Sequence, residues 1–109
     1  MSTATSDHEL FARARKCIDA LIERLPGTLK DEANRIGYVL SDPDDSRDGY
    51  DTLGDYCRSV SRISLFLHAL RDYCAEEHLD FAHQLQITYL HELGHHLGLP
   101  EGALEERAL

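Results

Sequence analysis

The sequence predicts a single α+β domain covering residues 1–109. Three observations predict it: the length of 109 residues, a helical apolar repeat near each end of the chain, and short β-rich runs between the two repeats. A chain of this length holds one hydrophobic core, because two smaller units would each bury too little apolar surface. Apolar residues make up 42% of the chain, as in globular domains. The predicted order is helix, three strands, short helix, long helix.

The first predicted element is an N-terminal helix. Ser6 and Glu9 have the spacing of a capping box, with Ser6 as the N-cap. Apolar residues then recur every three or four positions, which is the period of a helix with one buried face: Leu10, Ala14, Cys17, Ile18, Leu21, Ile22 and Leu25. Pro26 and Gly27 end this pattern, so we expect the helix to stop there.

Three short runs in the middle of the chain predict a small sheet. Residues 36–40 are the first run, and residues 56–60 and 62–67 are the second and third. The gap between the last two is short enough for a tight hairpin. The aspartate-rich segment 42–51 between the first two runs is interpreted as a solvated loop, because it lacks the ligand spacing of a calcium loop. A short helix is predicted to follow, ending near Cys74.

The last predicted element is a long helix over residues 81–97. Asp80 is its candidate N-cap, Gly98 occupies the position of a left-handed C′ residue, and Pro100 prevents continuation. We expect one side of this helix to face the core and its interior glycine to mark close packing. The residues on that side are Ile87, Leu90, Gly94 and Leu97.

Charge and composition exclude several classes of function. The net charge is −9, with 11 basic and 20 acidic side chains, which disfavours nucleic acid as a partner because phosphates are bound mainly by Lys and Arg. No apolar run approaches the roughly 20 residues of a membrane helix. The first residues lack the features of a secretory signal, and three widely spaced cysteines without a CxxC pair indicate reduced thiols. We therefore expect a cytoplasmic protein without a cysteine zinc site.

The long helix carries the residues that point to chemistry. His91 and His95 are four positions apart, so their rings project from one face of the helix, about 40° apart around its axis. Two imidazoles placed in this way can bind one zinc ion. Glu92 is adjacent to His91 and can reach a water molecule at the metal. Two ligands and a general base are what a metal-dependent hydrolase requires.

A third ligand is expected from beyond the helix, since a catalytic zinc ion usually has three protein ligands. Gly98 can turn the chain back, and Glu101 then follows ten residues after His91. His96 is the alternative, but it lies about 140° from His91 around the helix. We therefore predict that His96 points away from the metal, as a surface residue or a residue supporting the ligands.

The motif His91-Glu92-x-x-His95-x-x-Gly98-x-x-Glu101 resembles that of the zincin metallopeptidases. The chain is most similar to the small "minimal zincin" family of bacterial proteins, described as possible zinc metallopeptidases. Further segments carry the resemblance: the Phe-Ala-Arg-Ala-Arg sequence at 11–15, Leu-Gly-x-Tyr at 53–56 and Arg-Ile-x-Leu-Phe at 62–66. The resemblance implies a small sheet over a metal-binding helix, Zn²⁺ held by His91, His95 and Glu101, and Glu92 as base. Glu101 departs from the more usual Asp and is one methylene longer.

The leading hypothesis is therefore a zinc-dependent metallopeptidase acting on a peptide or unfolded protein, with residues 62–67 as the strand that receives the substrate. Tyr56, Arg58 and His68 are candidates for stabilising the oxyanion. Two alternatives remain open. One is a metal-stabilised interaction module without turnover, in which Glu92 would have no task. The other is a metal-dependent endoribonuclease of the three-histidine type, which the net charge of −9 disfavours. The oligomeric state is not predicted.

Overall fold

The computed structural model describes residues 7–41, 53–57, 62–100 and 102–104, and these form an α+β domain. Four helices and three strands follow one another in the order α1, α2, β1, β2, β3, α3, α4. The helices are α1 (Asp7–Arg24), α2 (Gly27–Ile36), α3 (Leu67–Glu77) and α4 (Phe81–Leu97). The strands are β1 (Tyr38–Ser41), β2 (Gly54–Cys57) and β3 (Arg62–Phe66). The α+β class expected from the sequence is confirmed.

Helix α1 presents the predicted apolar stripe to the core. Its stripe is buried at five positions, namely Leu10, Ala14, Ile18, Leu21 and Ile22, and Leu25, directly after the helix, is buried as well. Cys17 is half-buried at the edge of this stripe and has a free thiol. The predicted N-cap, Ser6, lies outside the described residues.

Helix α1 ends at Arg24, so the predicted stop at Pro26 and Gly27 is confirmed, but a second helix, α2, follows that was not predicted. Pro26 is the N-cap of α2, and its carbonyl accepts the first hydrogen bond of the new helix, from Lys30 N at 2.8 Å. Proline is tolerated at this point because the N–H groups at the start of a helix have no acceptor within the helix. The missing N–H of proline therefore costs no hydrogen bond. The helix extends to Ile36, so the first strand begins at Tyr38 rather than at residue 36.

The sheet is mixed, with the order β1-β3-β2. Strand β1 pairs with β3 in parallel and β2 pairs with β3 antiparallel, with Cys57 opposite Arg62. Residues 58–61, which hold the predicted hairpin turn, lie outside the described residues, as does the aspartate-rich segment 42–51. Strand β3 ends at Phe66, and Leu67 begins α3 with no intervening turn, one residue before the predicted end of the strand.

Helix α4 occupies the centre of the domain and contacts α1, α3, β2 and β3. Its predicted bounds are confirmed: Asp80 Oδ2 accepts a hydrogen bond from His83 N at 2.8 Å, and Gly98 is left-handed with φ 71°. The core positions of α4 are fully buried and lie on several sides of the helix, as expected for a central helix; they are Leu85, Tyr89, Leu90 and Leu93. Among the described residues, no helix combines the length and hydropathy needed to cross a bilayer.

The prediction that Gly94 marks close packing is wrong. Gly94 is buried, yet none of the described residues lies within 4 Å of an ideal Cβ built there, outside its own turns of helix. The close approach occurs instead at Gly54 in β2. A Cβ on Gly54 would lie 2.9 Å from Thr88 Cγ2 of α4 and 3.0 Å from Ser64 O of β3. The glycine of the Leu-Gly-x-Tyr segment is therefore the one that lets strand and helix meet.

We expect Gly54→Ala to destabilise the protein by about 1–3 kcal/mol, because the added methyl group forces β2 away from Thr88 and from the backbone of β3. The measurement is the free energy of unfolding in urea. The matched control is Gly27→Ala at the start of α2, where no described atom lies within 4 Å of the added carbon. Equal stability of Gly54→Ala and wild type would contradict this account of how β2 packs on α4.

Candidate metal centre

Three predicted site residues are brought together on the C-terminal half of α4. His91, Glu92 and His95 each offer a ligand atom, and these atoms all lie within 4.8 Å of one another. The rings of His91 and His95 meet edge to face, with centroids 4.5 Å apart. The structure therefore places the two imidazoles on one face of the helix, as their i, i+4 spacing requires.

Glu92 differs from the two histidines in its burial. It is 7% exposed, whereas the His95 side chain is 44% exposed and His91 is half-buried. A buried carboxylate is costly unless polar partners compensate the lost hydration. One such partner is His95, whose Nδ1 lies 3.2 Å from Glu92 Oε1. The carboxylate is thus enclosed by protein and directed to the imidazole side of the helix.

Glu92 lies on α4 between two residues that contact strand β2. Thr88, Glu92 and His96 are four positions apart and form one row along α4. Strand β2 contacts both ends of this row, through Gly54 at Thr88 and Tyr56 at His96. Gly54 and Tyr56 are two residues apart and so point to the same face of the strand. Strand β2 therefore contacts α4 one turn before and one turn after Glu92, which lies between these two contact points.

His96 points away from His91 and His95, as predicted, and it is not a solvated surface group. Its side chain is 10% exposed, and both ring nitrogens have partners. Nδ1 lies 2.8 Å from the Tyr56 hydroxyl, and Nε2 lies 2.8 Å from Glu32 Oε1 of α2. Sequence reasoning missed Glu32, because it lies in the helix that was not predicted.

Glu32 also accepts two hydrogen bonds from Arg35, at 2.7 and 3.0 Å. These bonds, and then the bond from His96, lower the pKa of Glu32 from 4.5 to about 2. The carboxylate is therefore ionised at neutral pH and can only accept. His96 Nε2 must then carry the proton of the Glu32–His96 bond, and in the neutral ring Nδ1 accepts from the Tyr56 hydroxyl.

This pKa shift predicts a pH dependence of stability. A carboxyl group whose pKa is lower in the folded state stabilises the fold above its unfolded pKa, and this contribution is lost as the pH falls from about 4.5 towards 2. Between about pH 6 and pH 3, we expect the urea midpoint of metal-free wild type to fall further than that of Glu32→Gln. Parallel loss of stability in the two proteins would show that the carboxylate makes no such contribution.

The chain turns back after α4, as the glycine at position 98 predicted. Gly98 is left-handed, and the Leu99 N–H donates to Gly94 O at 3.0 Å, which closes the end of the helix. Gly102 also has positive φ, at 80°, and Leu104 is 1% exposed within the hydrophobic core. Glu101, the predicted third ligand, stands between these residues in sequence, but it lies outside the described residues.

Two of the three candidates for oxyanion stabilisation, Tyr56 and His68, lie within the described residues. The Tyr56 hydroxyl contacts His96, and His68 lies in the first turn of α3. Arg58 falls outside the described residues.

Comparison with known proteins identifies the class. Residues 36–109 match the model of the family described as zincin-like metallopeptidase, and this range covers more than half of the chain and all of α4. The chain therefore belongs to the zincin-like metallopeptidase family. Searches of curated proteins and of solved structures return no significant match.

Proposed function

We propose that the protein is a zinc-dependent peptidase that hydrolyses peptide bonds with Glu92 as general base. The observation that carries the proposal is the cluster on α4, in which a 7% exposed carboxylate lies beside two imidazoles with all donor atoms within 4.8 Å. Membership of the family supports a metallopeptidase in general terms, and the cluster supports the assignment of residues to roles.

The donor set fits zinc. Imidazole nitrogens and a carboxylate oxygen are preferred zinc ligands, with bonds of about 2.0–2.2 Å. Two donors on one ion therefore lie within roughly 4.2 Å of each other, so the spacing of at most 4.8 Å requires no more than a small side-chain rotation. We assign His91 and His95 as ligands, and we propose Glu101 as the third because the chain turns back beside it.

The chemistry follows from this arrangement. Zinc, when bound, would polarise the scissile carbonyl and acidify a water molecule. Glu92 accepts the proton of the attacking water and delivers it to the leaving amine. Its burial and its contact with His95 keep the carboxylate oriented towards the imidazoles and limit competing hydration, which favours proton transfer at a fixed distance.

The strand predicted to receive the substrate requires a correction. Strand β3, within residues 62–67, is the central strand of the sheet, and β1 and β2 occupy both of its edges. It has no edge left for an added peptide. Within the described residues, the outer edge of β2 pairs with no strand, and β2 contacts α4 on both sides of Glu92, at Thr88 and at His96. We therefore propose β2 as the strand on which an extended peptide is added.

The third ligand is tested by mutation. We expect Glu101→Ala to weaken zinc affinity by at least about tenfold, since even partners of zinc ligands contribute 10–100-fold. Glu101→Asp and Glu101→His retain part of the affinity because each keeps a donor atom. Glu105→Ala and Glu106→Ala are the controls, measured by competition with a chromophoric chelator. If a control variant loses zinc affinity while Glu101→Ala keeps it, the third ligand is Glu105 or Glu106 rather than Glu101.

The activity itself is tested with a diverse peptide library digested by purified protein and read by mass spectrometry. Zinc-loaded protein is expected to cut a subset of peptides, and protein treated with a chelator is expected to cut none until zinc is restored. Cleavage that survives removal of the metal would refute a zinc-dependent peptidase.

A further inference from the structure

A chain of three side chains joins three separate elements next to the metal centre. Glu32 of α2 bonds to His96 of α4, and His96 bonds to Tyr56 of β2, each at 2.8 Å. We call these three residues the brace. The Tyr56 and His96 rings also meet edge to face, with centroids 5.4 Å apart. The His96 side chain is 10% exposed and that of Glu32 is 34% exposed, so these bonds are partly shielded from water, and such shielding strengthens a hydrogen bond.

The brace fixes one point at which β2 is held against α4. Another point is Gly54, which lies so close to the Thr88 side chain that an added Cβ would be 2.9 Å from Thr88 Cγ2. Thr88 and His96 are eight positions apart, about 12 Å along the helix, and Glu92 lies midway between them. The contact at Gly54 is apolar packing. The contact at Tyr56 is a directional hydrogen bond, which sets the rotation of the strand as well as its distance.

We propose that Glu32, His96 and Tyr56 are positioning residues that hold the outer edge of β2 in register with Glu92 for the binding of an extended peptide. The proposal rests on the proposed function, because it assigns the brace to the substrate-binding strand of that same site. None of the three side chains touches the reacting atoms in this account. They act through the position of β2.

One member of the brace, Glu32, lies outside the part of the chain that matches the family model. Tyr56 and His96 lie within residues 36–109, which match the family model, whereas Glu32 precedes them. Helix α2, which carries Glu32, contacts α1, and an exposed ion pair between Lys30 and Glu23, at 3.0 Å, also joins the two helices. Helix α2 thus reaches strand β2 through Glu32 and the His96 imidazole, and Arg35 Nη2 of the same helix also lies 3.5 Å from His96 Nε2.

The test uses full-length, zinc-loaded protein and four variants. Tyr56→Phe removes the hydroxyl and keeps the ring, His96→Leu removes both ring nitrogens, and Glu32→Leu removes the carboxylate. Glu32→Gln is the conservative variant, because its amide oxygen still accepts from His96 Nε2. The matched control for Glu32→Leu is Glu23→Leu, which breaks the α1–α2 pair at a side chain that is 70% exposed.

Two readouts are taken. The first is amide hydrogen exchange of the fragment that contains Gly54–Cys57, which needs no substrate. The second is the KM and kcat for a peptide cut by wild type. We expect Tyr56→Phe, His96→Leu and Glu32→Leu to speed exchange in β2 and to raise KM, each by about fivefold, the scale of one hydrogen bond. We expect kcat and zinc content to stay within about twofold of wild type, and Glu32→Gln and Glu23→Leu to resemble wild type.

The outcomes separate this proposal from the proposed function. Unchanged exchange and unchanged KM in the three variants would overturn the positioning role. A fall in kcat with unchanged KM, or loss of zinc, would also overturn the positioning role, since the brace would then act on the catalytic groups. If wild type cuts no peptide, the proposed function fails, and the exchange measurement alone decides whether the brace holds β2.

Discussion

Replacing Glu92 by glutamine is expected to lower the kcat/KM for peptide cleavage by about 10²–10⁴-fold while zinc binding and folding remain as in wild type. Glutamine has the shape of glutamate, but it cannot take a proton from water. The side chain is 7% exposed, so a neutral group there avoids the cost of burying a charge, and we expect stability to be unchanged or slightly higher.

The measurements are kcat/KM with a peptide cut by wild type, zinc content and the urea midpoint. The control is Glu77→Gln at the exposed end of α3, which is expected to cleave like wild type. A Glu92→Gln variant that binds zinc and cleaves at the wild-type rate would remove Glu92 from the mechanism.

Loss of either helix histidine is expected to abolish zinc binding. His91→Ala and His95→Ala each remove one of the two imidazoles that α4 presents to the metal, and we expect about one zinc ion per chain in wild type and close to none in either variant. His96→Ala is expected to retain zinc, because both ring nitrogens of His96 are engaged by Tyr56 and Glu32.

Zinc content is measured by plasma emission spectroscopy after dialysis against metal-free buffer. His83→Ala, on the exposed first turn of α4, is the control for replacing a histidine of this helix. Equal loss of zinc in His91→Ala, His95→Ala and His96→Ala would contradict the assignment of ligands by helix face.

Helix α4 could be predicted from local sequence because every feature that defines it is local. Asp80 caps its start, Gly98 closes its end, and the i, i+4 spacing alone places His91 and His95 on one face. No knowledge of the rest of the fold is needed for these inferences, and the structure agrees with the predicted bounds residue by residue.

The parts that were not predicted depend on contacts between distant segments. Helix α2 was missed because Pro26 and Gly27 indicate an ending, while the same proline equally suits the start of a new helix. The central place of β3 follows from its pairing with β1, about 25 residues earlier in the chain, which no local pattern encodes. The strand that was proposed from the sequence for the binding of a peptide therefore has no free edge.

The partners of His96 illustrate the same limit. Its direction around the helix was predicted correctly, but the residues that meet it come from β2 and from the unpredicted α2. The sequence does indicate that Gly54 and Tyr56 point to the same side of β2, because residues two apart in a strand share a face. It does not indicate that this side meets Thr88 and His96 of α4, because that contact joins distant segments of the chain.

The most direct test of the central claim, that α4 carries a zinc-dependent hydrolytic site with Glu92 as base, is one library digest run in parallel with zinc-loaded wild type and zinc-loaded Glu92→Gln. The account predicts a defined set of cleavages by wild type and their loss in Glu92→Gln at equal zinc content. The same cleavages in both proteins would contradict it. No cleavage by zinc-loaded wild type would also contradict it and would favour a metal-stabilised interaction module.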